Sequence, residues 1–187
     1  SEGLVAINVA GTSAAMIELN AETDFVSRNE DFQLLALNLA KLANDASDIA
    51  SLNSLVFPNT QRTVAEEITH NIATIGENMM LRRMKNIKVD KGSVVSYIHN
   101  ATADGMGRIG VLVALESDAG AETLESLGKQ IAMHVAATKP VSLSVDSLDP
   151  AMVERERDIL IEQAKESGKA QEIAEKMVEG RLRKYYQ

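Results

Sequence analysis

The sequence predicts an α+β fold: two repeated β-β-α units with small antiparallel sheets packed on helices, followed by a protruding antiparallel helical hairpin, a coiled-coil arm. Three observations predict it. Short apolar runs come in pairs, at residues 4–9 with 15–19 and again at 94–98 with 109–115, and breaks rich in glycine or small polar residues separate them. A helical stripe of apolar residues follows each pair. Past Pro150 the chain turns strongly charged and keeps only narrow stripes. The expected divisions are residues 1–90 for the first unit, 91–148 for the second, and 149–187 for the arm.

The first pair reads as a hairpin turning at Gly11-Thr-Ser13. Ser27-Arg-Asn-Glu30 has the spacing of a capping box, in which a hydroxyl and a carboxylate satisfy the first free amides of a helix. Phe32, Leu35, Leu39 and Leu42 supply that helix's stripe. Thr63-Val-Ala-Glu66 repeats the box before Val64, Ile68, Ile72 and Ile75, and Gly76 is placed to stop the helix. Residues 79–89 read as a third strand, with Arg82 and Arg83 near its start. Because neighbouring strand residues point to opposite faces, only one of the two arginines is expected to pair easily with a partner's acids.

The second copy joins its strands through a loop at Asn100, Gly105 and Gly107. Asp118 is the expected cap of a helix with the stripe Leu124, Leu127, Ile131 and Val135, which Pro140 stops. No third strand follows. A two-stranded hairpin is marginal alone, so the second copy leans on the first or lacks a C-terminal strand. In the arm, residues 152–169 and 170–186 are joined at Ser167-Gly168-Lys169. Val153, Leu160 and Ala164 are expected to face Ile173, Met177 and Tyr185. Met152, Ile159 and Val178 are left to meet a second subunit or the parent domain, and the pattern supports both readings equally.

Composition narrows the function. A net charge of −8 opposes binding to a nucleic-acid backbone, which needs a basic face. Without cysteine there is neither a disulfide framework nor thiolate chemistry. No apolar run nears the ~20 residues of a membrane span, and no targeting segment opens the chain at Ser1. Phosphate-binding glycine loops are missing too. Gly105-Met-Gly-Arg-Ile-Gly110 lies in a hairpin, where glycine serves as a turn residue. His70, His99 and His134 fall on different elements without metal-ligand spacing. Composition alone favours an ordinary satisfied role for His134. Glu22 and Asp24 need not converge across a turn, so no metal, no cofactor and no catalytic residue is assigned. The residues describe a binding protein and not an enzyme.

The most informative stretch is Glu18-Leu-Asn-Ala-Glu-Thr-Asp-Phe-Val-Ser27. The chain has only three Phe, three Tyr and no Trp. A ring at Phe25, between a strand and a helix, is poorly placed for a core and well placed to enter a partner. Leaving such a ring exposed forgoes roughly 1.5–3 kcal/mol of burial.

These residues resemble the translation elongation factor Ts family. Similar in order are Glu18 to Asn29, Ile75-Gly-Glu-Asn78 with Arg82-Arg83, Arg108-Ile-Gly-Val-Leu-Val113, Gln130-Ile-Ala-Met-His-Val-Ala-Ala137, and the arm's Ser167-Gly-Lys and Glu172 to Arg181. The resemblance implies a guanine-nucleotide exchange factor that binds the GTPase elongation factor Tu. It makes Phe25 a wedge that disturbs the magnesium site holding GDP, with Asp24 touching the partner and Thr23 and Val26 holding the turn. It further implies partner contacts at Ile109, Gly110 and His134, a homodimer through the core or the arm as one possibility, and a setting in the bacterial cytoplasm or an organelle matrix. Family members begin with a small helical module and continue past the arm, so a core fragment is expected, with reduced exchange as one consequence. The alternative is a non-catalytic structural module that oligomerises through its arm.

Overall fold

The computed structural model describes residues 2–168 and 170–187 of the chain. They fall into two compact units divided between Thr138 and Lys139. The boundary expected at residue 90 lies inside the first of them.

Strands β1 (Glu2–Ala10) and β2 (Ser13–Ala21) pair along their whole length about the turn at Gly11. Alternation then sorts their residues between two faces. Leu4, Ala6, Ala15, Ile17 and Leu19 face a cluster with Phe32, Leu35, Leu39, Leu52, Val64 and Ile68. Those partners come from helices α1 (Glu30–Ala43), α2 (Ile49–Ser54) and α3 (Val64–Ile75). The cap of α1 differs from expectation. Asn29, not Ser27, accepts from the Phe32 amide at 3.0 Å. The Ser27 hydroxyl is taken by the Asp24 carbonyl at 2.6 Å, closing a short 3-10 turn over Phe25–Arg28. At α3 both halves of the Thr63/Glu66 box form, and Gly76 stops the helix in the left-handed conformation at φ 84°.

Strand β3 (Met79–Lys88) pairs with β2 through a bulge next to Glu18. The extra residue resets the alternation, so Met79, Leu81 and Met84 all pack on the helical cluster. It also brings both arginines to one carboxylate of the same sheet. Both Arg82, at 3.3 Å, and Arg83, at 2.5 Å, reach the Glu18 carboxylate. Further along β3, Asn86 donates to the carbonyls of Ala43 and Ala46, tying the end of α1 to the sheet.

Strands β4 (Gly92–Ala103) and β5 (Met106–Glu116) form the second hairpin, longer than expected, with its tight turn at Gly105. The two copies do not keep separate sheets. Val5 pairs with Gly107 and Ala6 with Met106, giving one five-stranded sheet in the order β3-β2-β1-β5-β4. The β4–β5 half curls over the face of β1–β3 that the helices leave free. Ala14, Val89 and Val94 form a small second cluster there with Ile87 and Leu112. Helix α4 (Ala121–Thr138) covers the outside of β4 and β5. Its buried residues are Leu124, Gly128 and Ala132, while Leu127 is exposed, contrary to the expected stripe. Gly128 allows the close approach, since a Cβ there would lie 2.5 Å from Val95 Cγ2. Asp118 does not cap α4 but pairs with Lys91.

In the second unit, helices α5 (Pro150–Glu166) and α6 (Gln171–Tyr185) pack on each other. Leu160 and Ala164 meet Val178 and Leu182, with Ala174 and Tyr186 at the edges. The α6 seam is therefore shifted by one residue from the expected Ile173, Met177 and Tyr185, and Val178 is inside it, not left over. Of the expected joint at Ser167-Gly168-Lys169, Lys169 lies outside the described residues. Among the described residues no helix is long and apolar enough to cross a membrane.

Candidate functional site

The segment from Thr23 to Val26 leaves the end of β2 and enters the 3-10 turn ahead of α1. Four attachments hold it. Thr23 donates its amide to Glu77 Oε2 at 3.1 Å and its hydroxyl to Oε1 at 2.5 Å. The Asp24 carbonyl accepts from both the amide (3.2 Å) and the hydroxyl (2.6 Å) of Ser27. Val26 is only 3% exposed and packs in the main core. Gln33, one turn into α1, reaches back to the Ser27 carbonyl at 2.8 Å.

Phe25 stands between these anchors and is 81% exposed. Its neighbours on both sides are fixed, so the ring projects from a rigid base and not from a loose loop. This arrangement suits insertion into a partner, because most of the ordering cost is met before contact. The neighbouring Asp24 is exposed, and its carboxylate has no hydrogen-bond or ion-pair partner among the described residues. Glu22 and Asp24 do not converge with a third ligand, and no metal-holding group of His, Asp or Glu occurs among the described residues.

Ile109 and Gly110 lie on β5, on the wall of a groove of about 480 Å³ shared with Val5, Met16, Met84 and Lys85. Gly110 has an intramolecular reason to be glycine, since a Cβ would sit 2.6 Å from Met16 Sδ and 2.8 Å from Val5 Cγ1. His134 is exposed on α4, and its carbonyl accepts from Thr138. No hydrogen bond or ion pair among the described residues links these three to the Phe25 turn. The expected contact residues thus lie on three elements, the turn before α1, β5 and α4.

Glu77 is the participant that sequence reasoning missed. Gly76 was read as a helix stop, and the carboxylate beside it received no role. The signal available was its place in the Ile75-Gly-Glu-Asn78 segment.

Near the site, one carboxyl has a displaced titration. Burial opposes ionisation of Glu18, but the hydrogen bond and charge of Arg83, with Arg82 adding to them, hold it below the ordinary glutamate range. Its charge is thereby committed within the sheet.

Comparison with known proteins places this architecture. The family model described as Elongation factor TS matches residues 22–187. Elongation factor Ts of Rhodospirillum centenum is 52% identical over all of this chain and 61% of its own length. That of Gluconobacter oxydans is 53% identical, again over the whole chain and 62% of the relative, and that of Rhodospirillum rubrum is 53% identical over 61% of its length. The chain thus spans about three fifths of the length of the curated relatives it matches. With a family model covering most of its residues and relatives matching along all of it, the chain belongs to the elongation factor Ts family.

Proposed function

We propose that this chain promotes GDP release from the GTPase elongation factor Tu during translation elongation, in the bacterial cytoplasm, and that it does so by binding and not by covalent catalysis. The observation that carries the reading is Phe25, 81% exposed on a base pinned by Thr23 and Val26. Family membership supplies the partner, and the geometry supplies a contact suited to it.

The mechanism is linkage. A factor that binds the nucleotide-free GTPase more tightly than the GDP-bound form makes GDP weaken its own binding by the same ratio. A typical coupling of about 1–3 kcal/mol corresponds to roughly 5–150-fold. Phe25 is the differential contact: its ring fits only where the loops around magnesium and phosphate have moved. Asp24, whose carboxylate has no partner among the described residues, meets a donor on the GTPase beside the ring. Thr23 and Val26 act from behind by holding the turn. Ile109, Gly110 and His134 supply further partner contacts in this proposal.

The test is to add the chain to elongation factor Tu loaded with fluorescent GDP and excess unlabelled nucleotide. Accelerated loss of signal that is sharply reduced in Phe25→Ala supports the reading. Release at the spontaneous rate with the wild-type chain, or at the wild-type accelerated rate with the variant, overturns it.

A second activity is favoured by the exposed Ile159 and Ile173 on the helix pair, which leave apolar surface for self-association through the arm. A sizing column run with and without residues 150–187 reads that directly.

A further inference from the structure

We infer that Glu77 is a positioning residue for nucleotide exchange, its carboxylate setting the base from which Phe25 projects. The inference rests on the role given to Phe25 above.

The register of the sheet explains how Glu77 comes to do this. The β2–β3 ladder ends at the pair Ala21 and Met79. Thr23 and Glu77 each lie two positions past that rung, so they would face each other if the ladder continued. It does not continue, because the chain reaches Glu77 from the end of α3 through Gly76 at φ 84°. The Glu77 carboxylate fills the place of the missing rung. It takes the Thr23 amide on Oε2 at 3.1 Å and the Thr23 hydroxyl on Oε1 at 2.5 Å. A carboxylate gripping two donors of one residue gives charge-assisted bonds of fixed direction.

Glu77 forms no ion pair among the described residues, so no cation competes for these oxygens. Its backbone is confined on both sides, by the Gly76 amide bonded to Ile72 at 2.9 Å and by the start of β3 at Met79. Thr23 is therefore held from an element 54 positions away in sequence. Val26 fixes the far side of the turn by burial. With the carboxylate gone, the turn keeps Val26, the Ser27–Asp24 bonds and the Gln33 contact, none of which holds Thr23, and Phe25 samples directions that do not enter the partner. Lost preorganisation of this kind weakens binding without removing a contact.

The experiment compares wild type with Glu77→Ala, Glu77→Gln, Phe25→Ala and the double variant Phe25→Ala/Glu77→Ala. Each is measured by stimulated GDP release from elongation factor Tu and by hydrogen exchange of the amides from Thr23 to Ser27. Glu77→Ala is expected to slow release about 10-fold, to speed exchange at the Thr23 amide, and to leave the unfolding midpoint little changed. Glu77→Gln restores most of the rate, because its Oε1 accepts the amide while its Nε2 donates to the hydroxyl. In the Phe25→Ala background, Glu77→Ala has no further effect.

The inference is overturned if Glu77→Ala releases GDP at the wild-type rate, or slows it by the same factor when Phe25 is already alanine. Failure of the Phe25 role shows separately, as wild-type release by Phe25→Ala alone. Should Glu77→Ala fail to fold, the near-isosteric Thr23→Val removes only the hydroxyl contact. It is expected to slow release about 3-fold, and an unchanged rate there overturns the inference equally.

Discussion

Two phenylalanines seven positions apart offer a direct test of what each ring does. Phe32 is 0% exposed and sits among Leu35, Leu39 and Leu4. Phe25 is 81% exposed, so only about a fifth of its surface is removed from water. Full burial of such a side chain contributes roughly 1.5–3 kcal/mol, and a fifth of that is about 0.5 kcal/mol. Phe25→Ala should therefore cost no more than about 0.5 kcal/mol of stability, whereas Phe32→Ala leaves a cavity and costs roughly 3–5 kcal/mol. Urea unfolding followed by circular dichroism at neutral pH separates the two. Exchange should rank the variants the other way. An aromatic anchor at an interface centre contributes about 2 kcal/mol or more, which is roughly 30-fold in rate at 1.36 kcal/mol per decade. Phe25→Ala should lose that factor under conditions where Phe32→Ala, while still folded, loses less. A stability loss of 2 kcal/mol or more in Phe25→Ala would show that the ring is packed inside its own domain in solution, and the wedge would have to be abandoned.

Three further outcomes follow from the packing. Glu18 has a folded-state pKa below its unfolded value of about 4.3. Its stabilisation is thus complete above that value and disappears as the pH falls through the lower folded-state one. Glu18→Gln should cost on the order of 0.5 kcal/mol at pH 7, since both arginines are largely exposed, and the gap to wild type should close on acidification; a gap that widens in acid contradicts the assignment. Gly128→Ala should destabilise by about 1 kcal/mol despite alanine's helix propensity, because the new Cβ would sit 2.5 Å from Val95 Cγ2; a more stable variant in urea titration would mean that α4 stands off the sheet. In the arm, Leu182→Ala should cost roughly 2–4 kcal/mol and speed hydrogen exchange throughout α5 and α6. Ile173→Ala, at a residue 53% exposed, should change it little, and the reverse ranking would restore the seam expected from sequence.

What the sequence revealed, and what it hid, divides along the range of the interactions. Thr63 and Glu66 lie three apart and satisfy each other's amides, so their box was legible and forms on both sides. The first cap was ambiguous because Ser27 and Asn29 are both competent. The choice depends on Val26 entering the core, which draws Ser27 into the 3-10 turn and leaves Asn29 at the helix start. Helix α2 went unread for a different reason. With six residues it is too short to show a period, and its box pairs Asp48 with Ser51 in place of a glutamate. In the arm, Ile159 beside Leu160 and Met177 beside Val178 offer two adjacent stripes, and a charged helix does not say which one closes. The exposed phenylalanine was legible because rings are so scarce in this chain that one in a turn stands out. Its support from Glu77 was not, because that carboxylate lies 54 positions away.

The largest departure concerns the sheet, and its cause lies in glycines that looked local. Gly105, Gly107 and Gly110 all read as turn residues of a hairpin. Only Gly105, at φ 71°, serves the turn. A Cβ at Gly107 would press on Ile98 Cγ2 at 2.5 Å and the Asn100 carbonyl at 2.8 Å, and one at Gly110 would strike Met16, Val5 and Ile7. Gly107 therefore lacks a side chain because its neighbour strand β4 comes close, and Gly110 because β1 and β2 come close across the curled face. Gly107 sits at the rung that joins the copies, opposite Val5, and Gly110 lets the β4–β5 hairpin curl onto β1 and β2. A glycine that is free for a turn and a glycine that is required for contact are written with the same letter. Two small sheets and one coiled sheet are thus equally consistent with the pattern, and the second hairpin's need for a partner decides between them. It gains that partner through only two rungs, so most of the hold between the copies comes from apolar contact across the curled face. A bulky residue at Gly110 should consequently loosen the second hairpin while sparing the helical core around Phe32, which is where the Phe25 turn is anchored.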